Sequence, residues 1–495
     1  VMALKVLFVA AEAAPFVKTG GLADVMGALP QEMQKLGIEP ALVLPKYPAV
    51  EQNYGKELKT VYTGRINLAW RNQYIGVEKL LLNGLPVYFI DNEFYFKREA
   101  LYGYGDDAER FAYFSRAVLS MLPCIDFKPD IIHTNDWHTG LAGAYLKEEF
   151  MKDSYYRGLK NIFTIHNLKY QGVFGRDIVE DVLGLPLRLM HNGNLANDGD
   201  VNFMKAGMCY ADYITTVSRT YAEEIRYSYF GEGLQDYVAL CAGKITGILN
   251  GVDQKAYDPH TDPFIKTHFT DKSVFARKPQ NKEALQKELN LPVNREIPIL
   301  AMVTRLVEAK GLDLILRIMD ELLQEDIQLI VVGTGDDRYV KELQALALRN
   351  SDRVSVNILF DEGLAHRVYA GSDLFLMPSR YEACGLSQMI AMRYGTVPVA
   401  RETGGLKDSV TDFEKFTNQE GNGLSFFNFN AHELLFTVKR GLSYYAEKPI
   451  WKKLVLNAMR SDNSWENAAK AYASLYEKVL HGNRCVAGPR QKSGE

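Results

Sequence analysis

Two doubly wound α/β domains in tandem are what this sequence predicts, and three observations predict them. Short apolar, β-branched runs recur with amphipathic stretches between them, the pattern of βαβ units around a buried parallel sheet. The alternation breaks once, in a polar, proline-bearing stretch that ends at Pro298, and then resumes. The chain of 495 residues is too long for one small core and makes two large α/β units, or three smaller ones, at about 150 residues each.

In the first series, strands are expected at residues 5–10, 41–44, 87–90, 130–133, 161–165 and 213–217, with an antiparallel excursion over 60–82. Helices are expected at 109–122, 139–150 and 203–211. After 244–249 comes Asn250-Gly251-Val252-Asp253 and the interrupting stretch, so the first domain is assigned to 1–243 and the second to 244–462. The second series has strands at 299–303, 327–332, 354–359, 374–377 and 397–400. Such sheets bind ligands outside the carboxyl ends of their strands, so two facing domains would put a site in the cleft between them.

Composition removes several classes of function. Apolar residues are 47% and charged residues 24%, which is ordinary globular usage and argues against disorder or low complexity. The net charge of −4 leaves nothing to neutralise a nucleic-acid backbone. No apolar run reaches the roughly 18 residues that span a bilayer, and residues 1–14 lack the pattern of a secretory signal, so a cytoplasmic protein with no membrane partner is expected. A plastid location would need a transit peptide, and none leads the sequence. The five cysteines are scattered without a C-x-x-C pair, as reduced thiols are. The polar stretch 482–495 reads as a flexible tail.

Candidate chemistry sits just after the predicted strands. Lys18-Thr19-Gly20-Gly21-Leu22 follows the first strand and opens a helix: glycines let amides approach an anion, the helix start is electropositive, and Lys18 adds a charge. The spacing of a P-loop is absent, and a tight strand-to-helix turn with an exposed lysine reads the same way. Arg305, just after a strand, and Lys310-Gly311, at the next helix start, put two cations at one sheet edge, which suits a diphosphate unless Glu308 is their partner. Gly333-Thr334-Gly335 lacks the third glycine of the dinucleotide fingerprint, position 338 being Arg, so a nicotinamide enzyme is not supported.

Pro378-Ser379-Arg380-Tyr381-Glu382-Ala383-Cys384-Gly385-Leu386 places the carboxylate of Glu382 at a strand end, where a cap or ion-pair partner is the commoner reading. No base is fixed beside Cys384, which reads as a small buried thiol rather than a nucleophile. Thr403-Gly404-Gly405-Leu406 resembles the first glycine loop in design. His133-Thr134-Asn135-Asp136-Trp137-His138 and His166-Asn167 also follow strands, and polar residues at several strand ends are what a sugar-binding cleft needs. His133 and His138 are not spaced as helical metal ligands. Asp198-Gly199-Asp200 has the D-x-D form used by metal-dependent glycosyltransferases, but no strand precedes it. Neither a metal nor another cofactor is expected.

Taken in order, Lys18 to Leu22, Asp136-Trp137-His138, His166-Asn167, Asn250 to Asp253, Arg305 with Lys310, Pro378 to Leu386 and Thr403 to Leu406 resemble the bacterial glycogen synthase and plant starch synthase family, from about residue 4 to 480. The resemblance implies a GT-B fold: two Rossmann-like domains facing across a deep cleft, with a C-terminal helix over 463–481 that rejoins the first domain. It implies a retaining, metal-independent glucosyltransferase that takes glucose from ADP-glucose to the non-reducing end of an α-1,4-glucan or maltooligosaccharide.

It also implies roles. Arg305 and Lys310 would stabilise the leaving diphosphate, joined by Lys18. Glu382 would hold the glucosyl hydroxyls or an oxocarbenium-like transition state, His166 would touch the same sugar, and Asp136 would lie near the reacting carbon or the acceptor. Asn250, Tyr381, Cys384 and Thr403 would line the donor site with Gly20, Gly21 and the amides of Gly385, Leu386, Gly404 and Gly405. Tyr102 and Asp24 would be on the acceptor side. Phe360 stands where the family often has a tyrosine stacked on adenine, and Ala383 where many members have proline. The alternatives are UDP-glucose as donor, a small acceptor, or a sugar-nucleotide or glucan-binding scaffold without turnover.

Overall fold

The computed structural model describes residues 3–415 and 417–482 and divides into two compact units. The first takes the described residues as far as Thr216, Ile225–Ile248 and the described residues from Trp465; the second takes Val217–Glu224 and Leu249–Ser464. The changeover falls at 248/249, against the 243/244 expected, and an eight-residue excursion, Val217–Glu224, was not foreseen. Apart from Gly482, the expected tail lies outside the described residues.

Twelve strands are described in the first unit: β1 (Lys5–Val9), β2 (Glu39–Pro45), β3 (Lys59–Leu68), β4 (Arg71–Leu82), β5 (Leu85–Asp91), β6 (Ile131–Asn135), β7 (Lys160–Ile165), β8 (Val173–Phe174), β9 (Ala196–Asn197), β10 (Asp200–Asn202), β11 (Tyr213–Thr216) and β12 (Ile245–Gly247). Nine form one sheet in the order β12-β11-β7-β6-β1-β2-β5-β4-β3. It is parallel from β12 to β5, and β4 and β3 add the antiparallel excursion. The parallel strands are covered on both faces, so they read as apolar runs. The strand order reverses between β1 and β6, and that switch point is where an open α/β sheet leaves a crevice.

β8, β10 and β9 form a separate small antiparallel sheet. Asp198 (φ 51°) and Gly199 (φ 90°) are the two-residue turn between β9 and β10, so the D-x-D is a hairpin rather than a metal site. The helix Trp465–His481 packs on the helix Gly21–Lys35 and buries Trp465, Ala468, Ala469, Tyr472, Leu475 and Tyr476, one face at 3.6-residue spacing. Tyr476 meets Nδ1 of the buried His133 at 2.7 Å, and Thr164 Oγ1 meets Nε2 at 2.6 Å. His133 is therefore a satisfied core histidine.

The second unit has six parallel strands: β13 (Ile299–Val303), β14 (Gln328–Val332), β15 (Val354–Asn357), β16 (Leu374–Met377), β17 (Val397–Arg401) and β18 (Leu424–Phe426), in the order β15-β14-β13-β16-β17-β18. Its switch point lies between β13 and β16. β18 was not expected, and β15 stops two residues short of the expected 359.

The stretch read as an interruption contains the helix Val274–Glu288, with Pro279 inside it. Its buried residues are Val274, Lys278, Asn281, Lys282, Leu285 and Gln286. That is helical spacing, but carried largely by polar side chains. Lys278 Nζ donates to the carbonyls of Tyr369 (3.2 Å), Ala370 (3.0 Å) and Tyr394 (2.8 Å) and to Thr396 Oγ1 (2.8 Å). Lys282 meets Asp373 at 2.7 Å. Hydrogen bonds replace apolar contact on this face. Among the described residues no helix is long and apolar enough to cross a membrane.

Candidate functional site

In the first unit three strand ends carry the polar residues. β6 runs into Asp136, which takes φ 57°, and its carboxylate accepts the backbone N–H of His166, just beyond β7, at 2.7 Å. Burial raises Asp136 to about 7. His166 Nε2 meets Asn135 Oδ1 at 2.9 Å, and burial lowers its pKa to about 3, so the ring is neutral at physiological pH. β1 runs into Glu12, only 3% exposed, whose carboxylate accepts the Thr19 N–H at 2.5 Å and the Thr19 hydroxyl at 2.8 Å. Burial raises the pKa of Glu12 as well.

The first glycine loop thus carries one of the chain's own carboxylates. Lys18 is paired too, with Asp24 at 2.6 Å. Gly21 remains open, since a Cβ there would meet nothing within 4 Å. Tyr102 bonds through its hydroxyl to Thr19 and packs 4.7 Å from the ring of His138, which stacks on Trp137 at 4.0 Å. His138 is buried, with its pKa lowered to about 3 by that burial.

In the second unit Lys310 and Glu382 meet at the switch point, Nζ to Oε2 at 2.5 Å, with side chains 18% and 13% exposed. Ser379 Oγ donates to the same oxygen at 3.2 Å. Glu308 pairs instead with Arg380 at 3.1 Å. Arg305 is exposed, and its guanidinium makes no hydrogen bond or ion pair among the described residues. The G-x-G after β14 serves this segment: a Cβ on Gly335 would stand 2.2 Å from the carbonyl oxygen of Leu306, next to Arg305. It is a close-approach device, not a nucleotide fingerprint.

The turn after β16 has its carbonyls bonded inward. Glu382 O accepts from Gly405 N at 3.1 Å, Ala383 O from Ser218 Oγ at 2.6 Å and Gly405 N at 3.2 Å. Gln388 Nε2 donates to Cys384 O at 3.2 Å and to Gly385 O at 2.8 Å. Among the described residues the amides of 382–386 donate to no protein acceptor. A turn with satisfied carbonyls and unengaged N–H groups is suited to an anion.

The second glycine loop differs from its expectation. Gly404 N donates to Glu224 at 3.0 Å and Gly405 N to the Glu382 and Ala383 carbonyls, so neither amide is left to complete a donor site. Thr403 is buried, with its hydroxyl on Glu224 at 2.9 Å. A Cβ at Gly404 would lie 1.8 Å from Glu382 O, and one at Gly405 2.0 Å from Cys384 O. These glycines let the 382–384 backbone pass.

Cys384 is buried against Asn250, and burial pushes its thiol up to about 12, too high for a nucleophile. Asn250 is itself buried, and Tyr381 and Leu386 are half-buried around the turn. Phe360, beyond β15, presents a ring that is 89% exposed. Among the described residues no group of three or more His, Cys, Asp or Glu is arranged to hold a metal ion. Sequence reasoning missed Glu12, Ser218, Glu224, Ser379 and Gln388. Glu12 could have been found from its place at the end of β1 and Ser379 from its motif; Ser218 and Glu224 carry no local signal, because their partners are 165 and 180 residues away.

Residues 5–239 match the family model described as the starch synthase catalytic domain, and residues 281–445 the one described as glycosyl transferases group 1. A glycogen synthase of Desulforamulus reducens is 49% identical over 482 residues, covering 97% of this chain and all of that protein. The solved catalytic domain of starch synthase IV from Arabidopsis thaliana, bound to ADP and acarbose, superposes with a TM-score of 0.89 at 33% identity, covering 97% of this chain and 100% of that one. A sucrose-phosphate synthase of Thermosynechococcus elongatus shares the fold alone, with a TM-score of 0.59 at 18% identity over 96% of this chain and 99% of that one. On its match to relatives over nearly its whole length, the chain belongs to the glycogen synthase and starch synthase family, glycosyltransferases of the GT-B fold built from two Rossmann-like domains.

Proposed function

We propose that the chain is a retaining glucosyltransferase that moves glucose from ADP-glucose to the non-reducing end of an α-1,4-glucan. The observation that carries the reading is the second unit's switch point, where Lys310, Glu382, an uncommitted Arg305 and a turn of unengaged amides lie together. Arg305, Lys310 and the amides of Gly385 and Leu386 would take the diphosphate, whose charge grows as the C1–O bond breaks. Lys310 would then exchange the Glu382 carboxylate for phosphate oxygens. Glu382, released, would accept hydrogen bonds from the glucosyl hydroxyls and stabilise positive charge on the ring.

The first unit would supply Lys18 to the phosphates, after it leaves Asp24, with Gly20 and Gly21 beside it. The neutral ring of His166, with its Nε2–H given to Asn135 Oδ1, would accept a sugar hydroxyl at Nδ1. Asp136, with a pKa near 7, would stand on the acceptor side with Tyr102 and Asp24. The acceptor O4 would attack C1 from the face the phosphate leaves, its proton passing to the departing phosphate oxygen, so that no enzyme nucleophile is required. The bare ring of Phe360 would stack on the base, a contact that needs no hydroxyl. Free Cys124, Cys209, Cys241 and Cys384 fit a reducing, cytoplasmic compartment.

The test is glucose incorporation into glycogen or a maltooligosaccharide with ADP-glucose and UDP-glucose in parallel, EDTA present. Elongation in EDTA, faster with ADP-glucose, is the expected result; Glu382→Ala should remove most of it while the protein stays folded. Silence with both donors, or near-normal transfer by the variant, would sink the reading.

A further inference from the structure

The excursion Val217–Glu224 sits in sequence between β11 and the rest of the first unit, yet its eight residues belong to the second unit. It is held there at three points. Ser218, fully buried, donates its hydroxyl to the Ala383 carbonyl at 2.6 Å while accepting the Tyr221 N–H at 3.2 Å, capping the short helix Arg219–Glu224. Thr220 gives its N–H and its hydroxyl to the two carboxylate oxygens of Asp408, at 3.0 and 2.6 Å. Glu224 accepts from the Thr403 hydroxyl and the Gly404 N–H at 2.9 and 3.0 Å.

All three anchors converge on one turn. Ser218 holds a carbonyl one residue from Glu382. Glu224 fixes Gly404 and, through the chain, Gly405, which lie under the carbonyls of Glu382 and Cys384 with no room for a Cβ. Asp408 is on the helix Gly404–Ser409 that these glycines open. Among the described residues no other hydroxyl supports the Ala383 carbonyl; its second donor, Gly405 N, is at a longer 3.2 Å.

We propose that Ser218 and Glu224 are positioning residues for Glu382, and that Val217–Glu224 is a strut setting the height and tilt of the Glu382 turn. This rests on the reading of Glu382 as the residue that holds the donor sugar. A hydroxyl has one proton to donate and lone pairs to accept with, so Ser218 does both tasks at once and threonine can do the same. Placement within a fraction of an ångström is what a transition-state contact requires.

The experiment measures kcat and KM for ADP-glucose in the full chain and in Ser218→Ala, Ser218→Thr, Glu224→Ala and Glu224→Gln, each also combined with Glu382→Ala, with a thermal melt of every variant. Expected are a roughly tenfold loss of kcat in Ser218→Ala and Glu224→Ala, with KM changed less than twofold, and recovery to within threefold in Ser218→Thr. Gln at 224 should recover to within threefold, because its Oε1 can accept the Gly404 N–H while its amide N donates to the Thr403 hydroxyl. In the Glu382→Ala background the same substitutions should change the residual rate less than twofold, since there is no carboxylate left to place. Equal losses in both backgrounds, or full activity in Ser218→Ala and Glu224→Ala, would overturn the proposal and leave the glucosyltransferase reading intact. A parent chain silent with ADP-glucose and UDP-glucose would overturn both.

Discussion

Replacing Gly404 by alanine puts one methyl group where the structure has no space. The residue sits at φ 46°, where an L side chain costs about 1 kcal/mol or more of backbone energy. The new Cβ would stand 1.8 Å from Glu382 O, and carbon and oxygen do not approach closer than about 3 Å without repulsion, so helix start and turn must part by at least about 1 Å. That separation also pulls Gly404 N from Glu224 and Gly405 N from Ala383, adding about 1–3 kcal/mol of overpacking cost. A displacement of about 1 Å at a transition-state contact costs on the order of 100-fold in rate.

The control is Gly37→Ala in the first unit, at φ 78° with nothing within 4 Å of the added methyl. It bears the same backbone cost and no collision. Urea denaturation and initial transfer rates with ADP-glucose and maltooligosaccharide, run on both variants, give the comparison. Gly404→Ala should lose about two orders of magnitude in rate and the larger share of stability, while Gly37→Ala should keep its rate. A Gly404→Ala enzyme within twofold of the parent, or one no less stable than Gly37→Ala, would refute the argument that the second glycine pair is shaped by the Glu382 turn.

Two other outcomes follow from buried groups. His133, His138 and His166 are each lowered to about 3 by burial, so on unfolding below pH 6.5 they take up protons, while Asp136, raised to about 7, gives one up. Near pH 5 these four groups bind about two protons net on unfolding, an uptake that Glu12 and Asp91, also raised by burial, reduce, so the first unit should lose at most about 3 kcal/mol per pH unit of acidification; Trp70, Trp137 and Trp465, all in that unit, report it by fluorescence, and a stability that rises from pH 6 to 4.5 would contradict it. Lys278→Met should destabilise the second unit by about 2–4 kcal/mol, because it strips the buried Ala370 and Tyr394 carbonyls of their donor and leaves Tyr369 O with the Thr396 hydroxyl alone; an unchanged denaturation midpoint would show that water replaces the ammonium.

Most of the parallel strands were legible because both faces of their sheets are covered there, so each appears as a short apolar run, whereas β3 and β4 show instead the alternation of strands with one face in solvent. The helix Val274–Glu288 was not, for the complementary reason. Its inward face is Lys278, Asn281, Lys282 and Gln286, at helical spacing but in polar residues whose burial depends on carbonyls and carboxylates elsewhere in the chain. A hydropathy pattern is blind to a face satisfied by hydrogen bonds.

The two Thr-Gly-Gly-Leu loops make the same point at the site. They share four letters, yet one is open over Gly21 and the other is filled by backbone from 382–384. Each threonine meets a carboxylate, Glu12 in the first loop and Glu224, 180 residues from Gly404, in the second, so what separates them is the turn that carries Glu382. The pairing of Lys310 with Glu382 spans 72 residues and was foreseen only as two members of a site, not as partners of each other.

The helix Trp465–His481 has a consequence for the order in which the chain can be completed. Synthesis runs from the N-terminus, and domains ordinarily finish in that order. Here the first sheet emerges early, but His133 waits for Tyr476 and the surface of Gly21–Lys35 waits for its covering helix until nearly 480 residues have been joined. Leu249–Ser464, which needs only the short Val217–Glu224 segment from upstream, has every other part of its core in hand before that moment. The half that is made first is therefore the half that closes last, and a ribosome that stops at Ser464 releases a finished second unit tethered to an unfinished first one.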